Sequence, residues 1–242
     1  MLNRTFSALR ELVFPDVCCL CGDAFDYFLK DAIKIYLDGD MIESPYCETC
    51  TRALMNGYCN ESTKRFYKTN SEFLFDYNYE AVQKAISHLK RVRCRKCNEF
   101  FAKILSSVLK NKDFEYISYI PRSKIALKKY DFDQSERIIS TFVRLSPDHK
   151  AIDLLTRSRK HSVQQKSLSA KNRFINAKGS LILRKNARIP NNFVLFDDVT
   201  TTGATAQTAI DILKKGGAEK INLIFLAKTR KILKERSTEE NE

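Results

Sequence analysis

The 242-residue chain contains no run of about 18 apolar residues, so no transmembrane helix is expected. Its opening stretch, MLNRTFSALRELVF, lacks the features of a secretory leader. Charged and polar residues interrupt its apolar positions and no small-residue cleavage site follows, so it reads as amphipathic and the protein as cytosolic. No internal repeat is visible. Acidic residues are scarce, 29 against 42 lysines and arginines, which leaves a formal net charge of +13. Such a surplus attracts polyanions such as nucleic acid, acidic lipid or phosphorylated small molecules, or else coats the surface with solvated charge. Without a secretory leader, the eight cysteines argue against a disulfide framework and towards metal or catalytic use. The hydrophobic content of 43% suffices for a buried core over most of the length.

Three zones follow from the patterning. Residues 1–62 hold most of the cysteines and no strong strand run, and are expected to form an N-terminal zinc-binding module. FLFDYN then reads as a strand, followed by helices with Ala81, Ala85 and Leu89 in register. Beyond it, YISYIP, AIDLL, SLILR, FVLFD and INLIFLAKT read as strands, and QSERIISTFVRL and ATAQTAIDILKKGGA as helices. This succession predicts an α/β domain over residues 63–242, a mainly parallel sheet flanked by helices. Gly216 and Gly217 mark a helix stop, and the charged tail from Lys231 has no apolar face.

The segment VLFDDVTTTGAT carries the chemistry. Val194, Leu195 and Phe196 form a non-alternating apolar run, as in a strand covered on both faces. Asp197 and Asp198 follow where the strand reaches the sheet's carboxyl edge, the edge at which open α/β sheets bind ligands. Val199, Thr200, Thr201, Thr202, Gly203, Ala204 and Thr205 then lead into a helix. Backbone N–H groups at a helix start attract phosphate, glycine allows close approach, and threonine hydroxyls add donors. The two acids suit vicinal ribose hydroxyls, directly or through Mg2+ and its waters. The segment resembles the phosphoribosyl-pyrophosphate (PRPP) motif of type I phosphoribosyltransferases. That resemblance implies that Thr201 to Thr205 cradle the 5′-phosphate while Asp197 and Asp198 hold the ribose.

Further pieces resemble the ComF family of competence-associated proteins, which join a cysteine-rich zinc module to such a domain. Tyr119-Ile120-Pro121-Arg122 stands where the family begins a diphosphate-contacting loop. Lys128 to Ser135 stands where it has an Arg-Gly-Phe-Asn-Gln type of turn, with Asp131 in place of the glycine. TRSRKHSVQQKSLSAKNRFIN matches through Arg159, Gln165, Leu168, Arg173 and Asn176, and its basic, acid-poor composition suits a loop that folds over a diphosphate. Pro121, Arg122, Lys124, Arg157, Arg159, Lys160, Gln165, Lys171 and Arg173 are the diphosphate and loop candidates. No catalytic residue is assigned.

Cys18 and Cys21, with Gly22 after them, and Cys47 and Cys50 form two C-x-x-C pairs suited to a tetrahedral four-thiolate zinc site. Taking Cys19 instead of Cys18 would break the spacing, and the long separation predicts an inserted helix over about 24–37. Cys59 is unassigned. Cys94 and Cys97 form a third pair, but a metal there needs two more ligands and His88 is the only histidine nearby. Both fall on one helix face, which reads as core packing.

Basic residues concentrate at Lys84, Lys90, Arg91, Arg93, Arg95, Lys96, Lys103 and Lys110, and again at Arg52, Lys64, Arg65 and Lys68 beside Phe66 and Tyr67. Cations next to aromatic rings suit single-stranded nucleic acid, and no sequence-reading motif is present. The resemblance therefore implies a protein that binds PRPP with Mg2+ and single-stranded DNA, together with DNA-uptake or recombination machinery. It would work in the cytoplasm or at the inner membrane, handling DNA during natural transformation. The alternative is a metabolic type I phosphoribosyltransferase that transfers ribose phosphate to a nucleobase-like acceptor with release of diphosphate, although no base-recognising hood segment is recognisable. A regulator that binds PRPP without chemistry is the third reading.

Overall fold

The computed structural model describes residues 17–23, 33–63, 69–158 and 181–229. The chain first makes an antiparallel hairpin of β1 (Lys34–Leu37) and β2 (Asp40–Glu43). Asp38 and Gly39 turn it with φ of +47° and +84°. Positive φ at both central residues is the demand of the tight turn that Asp-Gly meets best. Strand β1 replaces the end of the helix expected over 24–37. Residues 24–32 lie outside the described residues.

After α1 (Glu48–Met55) come β3 (Tyr58–Thr63), β4 (Ser71–Asp76), α2 (Glu80–Arg91), α3 (Arg95–Leu109) and β5 (Tyr116–Tyr119). The chain continues through α4 (Lys124–Tyr130), α5 (Gln134–Leu145), β6 (Lys150–Ala151), β7 (Leu155–Arg157) and β8 (Leu181–Leu183). It closes with β9 (Asn192–Thr200), α6 (Ala204–Lys215) and β10 (Lys220–Lys228). Six strands form one sheet in the order β3-β4-β10-β9-β5-β6, parallel throughout except for β3 at its edge. The expected mainly parallel α/β sheet is therefore present. The proposed division at residue 62 falls within β3, which pairs with β4 as part of this sheet.

Successive side chains of a strand face opposite ways, and β9 feeds two apolar layers. Val194 and Phe196 pack with Leu89, Phe101 and Ile139 from α2, α3 and α5. Phe193 and Leu195 pack with Ala209 and Leu213 of α6. The first layer also takes in Cys18, Ile42, Tyr46 and Leu54, so the cysteine-bearing segment shares a core with the helices of the α/β domain. Helix α6 stops as its glycines predict: Gly217 takes φ +108° and Ala218 N–H returns to the Leu213 carbonyl at 3.0 Å. Two expected strands depart from the plan. AIDLL divides into β6 and β7, and β7 pairs antiparallel with β8, from SLILR, as a ribbon separate from the large sheet.

Candidate functional site

Strand β9 outruns its neighbour. Its pairing with β5 ends at Tyr119 and Phe196, while its pairing with β10 continues to Lys228 and Thr200. Asp197 and Asp198 therefore stay on a strand, yet open towards the side where β5 has stopped. The sequence suggested a strand ending near these acids; the ladder with β10 carries it to Thr200.

Three cations surround the acid pair. The Lys90 ammonium, from the last turn of α2, lies 2.9 Å from Asp198 Oδ2. Gln134, at the start of α5, donates its side-chain N–H to the same oxygen. Arg157 of β7 donates Nε–H to the Pro121 carbonyl at 2.7 Å, and the charge it feels most is that of Asp197. Arg122 feels the charge of Asp133 and, less, that of Asp198.

The two carboxyls respond oppositely. Burial, and next the charge of Asp198, push the pKa of Asp197 up to about 8. Burial acts on Asp198 as well, but the adjacent Lys90, with hydrogen bonds from Val199 N–H and Gln134, holds its pKa below the ordinary value. At neutral pH the pair thus carries one negative charge and one proton. Asp197 offers a donor and an acceptor, and Asp198 offers acceptors only.

Past Thr200 the chain exposes Thr201, half-buries Thr202 and turns at Gly203, whose φ of +70° places it in the left-handed region. Gly203 caps α6 without any side-chain hydrogen bond, and its carbonyl accepts from Gln207 N–H at 2.8 Å. The leading N–H groups at Ala204 and Thr205 and the helix dipole thus face the carboxyl edge without a side-chain cap, an arrangement suited to an anion.

Arg122 is less open than its sequence position suggested. It donates to the carbonyls of Lys90 (2.7 Å) and Phe132 (3.2 Å), and its guanidinium lies 4.6 Å from the Tyr130 ring centroid. Lys124 is exposed at the start of α4. Asp131 occupies the left-handed region, φ +58° and ψ +25°, and caps α4 as a glycine would; Arg93 donates to its carboxylate at 2.6 Å. A short polar side chain tolerates this conformation, which a glycine adopts freely. Asp133, buried, caps α5 by accepting from Ser135 N–H, and its other oxygen accepts from Arg122 N–H. Arg159, Lys160, Gln165, Leu168, Lys171, Arg173 and Asn176 lie outside the described residues, as do Lys64, Arg65, Phe66, Tyr67 and Lys68.

The basic stretch over α2 and α3 is not one uncompensated face. Lys84 pairs with Glu80, Arg93 with Asp131, Arg95 with Glu99 and Lys110 with Asp40, while Lys90 turns into the acid pair. Sequence reasoning placed Lys90 in the surface patch and missed this role. The only available signal was its place at the end of the helix that follows an apolar strand.

The cysteines form two groups. Cys18, Cys21, Cys47 and Cys50 bring their sulfurs within 4.8 Å of one another, as the paired spacing predicted. Cys21 Sγ and Cys47 Sγ are 3.7 Å apart, close to the roughly 3.8 Å separation of two thiolates on one tetrahedral zinc. Leu20 N–H points to Cys18 Sγ at 3.4 Å, and Gly22 turns the knuckle with φ +81°. These residues can hold a metal ion. Cys94 and Cys97 are not simply packed in the core: Cys19 and His88 join them, all ligand atoms again within 4.8 Å. His88, Cys94 and Cys97 are near neighbours in the sequence; what it hid was the fourth ligand, Cys19, 75 positions before Cys94.

No family model matches the chain. It is 24% identical over 228 residues to the Streptococcus pneumoniae protein named Competence protein ComFC, covering 93% of this chain and 94% of that one. It is 25% identical over 194 residues to the Haemophilus influenzae protein named Competence protein F, covering 76% and 85%. Among solved structures, adenine phosphoribosyltransferase from Rhodothermus marinus covers 78% of this chain and 92% of its own at 13% identity, with a TM-score of 0.41. The enzyme of the same name from Leishmania donovani covers 75% and 80% at 11% identity, with a TM-score of 0.43. No described helix is long and apolar enough to cross a membrane.

Proposed function

From a chain similar to the ComF competence proteins along nearly its whole length, we propose a competence protein that binds PRPP with Mg2+ and handles single-stranded DNA during natural transformation. The observation that carries the PRPP reading is one edge of one sheet. There an uncapped helix start at Ala204 follows, past residues 201–203, two strand-borne carboxyls. Of these Asp198 contacts Lys90, while Arg157 feels the charge of both and Arg122 that of Asp198. Phosphate fits the N–H groups after Gly203, and vicinal hydroxyls or a hydrated Mg2+ fit the acid pair. In that complex the sugar's hydroxyls compete with Lys90 and Gln134 for Asp198. Pro121, Arg122, Lys124 and the basic segment containing Arg159, Gln165 and Arg173 remain the diphosphate side.

The DNA reading rests on the net charge of +13 and on the competence proteins the chain is similar to. It calls for salt-sensitive binding without sequence preference. Cys18, Cys21, Cys47 and Cys50 hold a structural zinc, a closed four-thiolate site without an open position for chemistry.

Calorimetry with PRPP in the presence and absence of Mg2+ tests the site. Binding should require Mg2+ and vanish in Asp197→Ala/Asp198→Ala; undiminished binding by the double variant refutes the assignment. Gel shifts with single-stranded DNA at rising salt test the second half, and no affinity at low ionic strength ends it. The metabolic alternative predicts that diphosphate is released when a nucleobase is added with PRPP.

A further inference from the structure

We propose that Cys19, His88, Cys94 and Cys97 form a second zinc site, of three thiolates and one imidazole, which pins the first cysteine knuckle to the adjoining ends of α2 and α3. The four ligand atoms lie within 4.8 Å of one another. Cys19 Sγ and Cys94 Sγ are 3.7 Å apart, the same separation found between Cys21 and Cys47. That is far beyond a disulfide bond of about 2.05 Å, and near the roughly 3.8 Å between two thiolates sharing a tetrahedral zinc.

The polar atoms around the cluster point the same way. His88 Nε2 is buried without a hydrogen-bond partner. An imidazole nitrogen left so is costly, and a metal bond relieves it. Cys94 is the N-cap of α3, and its sulfur accepts from Cys97 N–H at 3.3 Å. The first group has the same N–H-to-sulfur contact, from Leu20 to Cys18 at 3.4 Å. Both Cys94 and Cys97 sit at the start of α3, where the helix dipole favours thiolates. Three soft sulfurs and one imidazole select zinc among common divalent ions and leave no open coordination position, so the site is structural.

Adjacent residues of one knuckle would then serve different metals, Cys18 the first and Cys19 the second. The second ion joins three segments that no disulfide links. It also fixes the last turn of α2. Two residues beyond His88 lies Lys90, whose ammonium holds Asp198 and whose carbonyl accepts from Arg122.

Native mass spectrometry of the full chain purified with zinc tests the count. The wild type should carry two zinc ions, Cys47→Ser/Cys50→Ser one and Cys94→Ser/Cys97→Ser one. One ion in the wild type, lost with Cys47 and Cys50 and kept without Cys94 and Cys97, overturns the proposal. Should Cys94→Ser/Cys97→Ser fail to fold, His88→Cys decides, because it keeps four ligands. Cobalt(II) in place of zinc should then show stronger thiolate charge-transfer absorption than in the wild type. An unchanged cobalt spectrum in His88→Cys refutes the site.

Discussion

Neutralising Asp197 and neutralising Asp198 should change stability in opposite directions. Asp197 ionises near pH 8 in the folded chain because burial, and next its charged neighbour, oppose the anion, whereas the unfolded residue ionises near its ordinary value of 3.8. The folded state therefore holds an extra proton between these limits. The stability this lends is complete below about pH 4 and is lost as pH rises to about 8, at a rate of at most about 1.4 kcal/mol per pH unit. Asp197→Asn removes that dependence, so the variant should gain on the wild type steadily across the window and stand above it at pH 7.5. Asp198 is the reverse case. Burial opposes its charge, but Lys90 at 2.9 Å more than compensates, so its contribution is present at neutral pH and lost in acid. Asp198→Asn leaves Lys90 facing a neutral group. Since one-third of the Lys90 side chain is exposed, water screens part of the loss, and about 1–2 kcal/mol of destabilisation is expected rather than the full penalty of a broken buried pair. Urea unfolding of both variants and the wild type from pH 5 to 9, in the absence of ligand, measures this. Equal destabilisation by the two substitutions at pH 7.5, or a wild-type profile parallel to that of Asp197→Asn, would refute the assignment of proton and charge.

Asp131→Gly should change stability by less than about 1 kcal/mol, since glycine accepts the left-handed conformation and only an exposed ion pair is lost; Asp131→Val should cost about 1–2 kcal/mol in thermal unfolding. Asp133→Ala removes the cap of α5 and the acceptor of Arg122 N–H, and should cost about 1–3 kcal/mol by urea titration. Arg122→Lys should destabilise nearly as much as Arg122→Ala, about 2 kcal/mol, because one planar group serves two carbonyls and the Tyr130 ring. If calorimetry shows weaker PRPP binding in Arg122→Lys at unchanged stability, Arg122 acts on the ligand instead.

The sheet was legible wherever burial was two-sided. Phe193 to Phe196, Leu223 to Ala227 and Phe73 to Phe75 are apolar without interruption, and all lie in the large sheet. The start and stop of α6 were legible because Gly203 and Gly217 take conformations that few other residues accept. Short edge strands were not. β1 and β2 alternate in burial, with Ile42 fully buried, but KIYL and DMIE are four residues each and do not alternate apolar with polar, so only Asp38-Gly39 offered a turn signal. The first cysteine group could be read from local spacing. The second could not, since Cys19 and His88 meet only after the first knuckle packs against α2. Lys90 escaped for a similar reason: its partner Asp198 is 108 positions away in the chain, and charge composition carries no information on such distances.

The unequal borders of β9 bear on the thermodynamics of ligand entry. Groups carried on a loop must be ordered when a ligand arrives, at roughly 1–2 kcal/mol of backbone entropy per residue fixed. Asp197 and Asp198 have met that requirement during folding, through the ladder from β9 to β10 that runs on to Thr200. What a ligand must still supply is the enthalpy to displace Lys90 and Gln134 from Asp198. Recognition at this edge should therefore show little configurational penalty in calorimetry, and its selectivity should depend on how well a ligand replaces an ammonium ion and an amide.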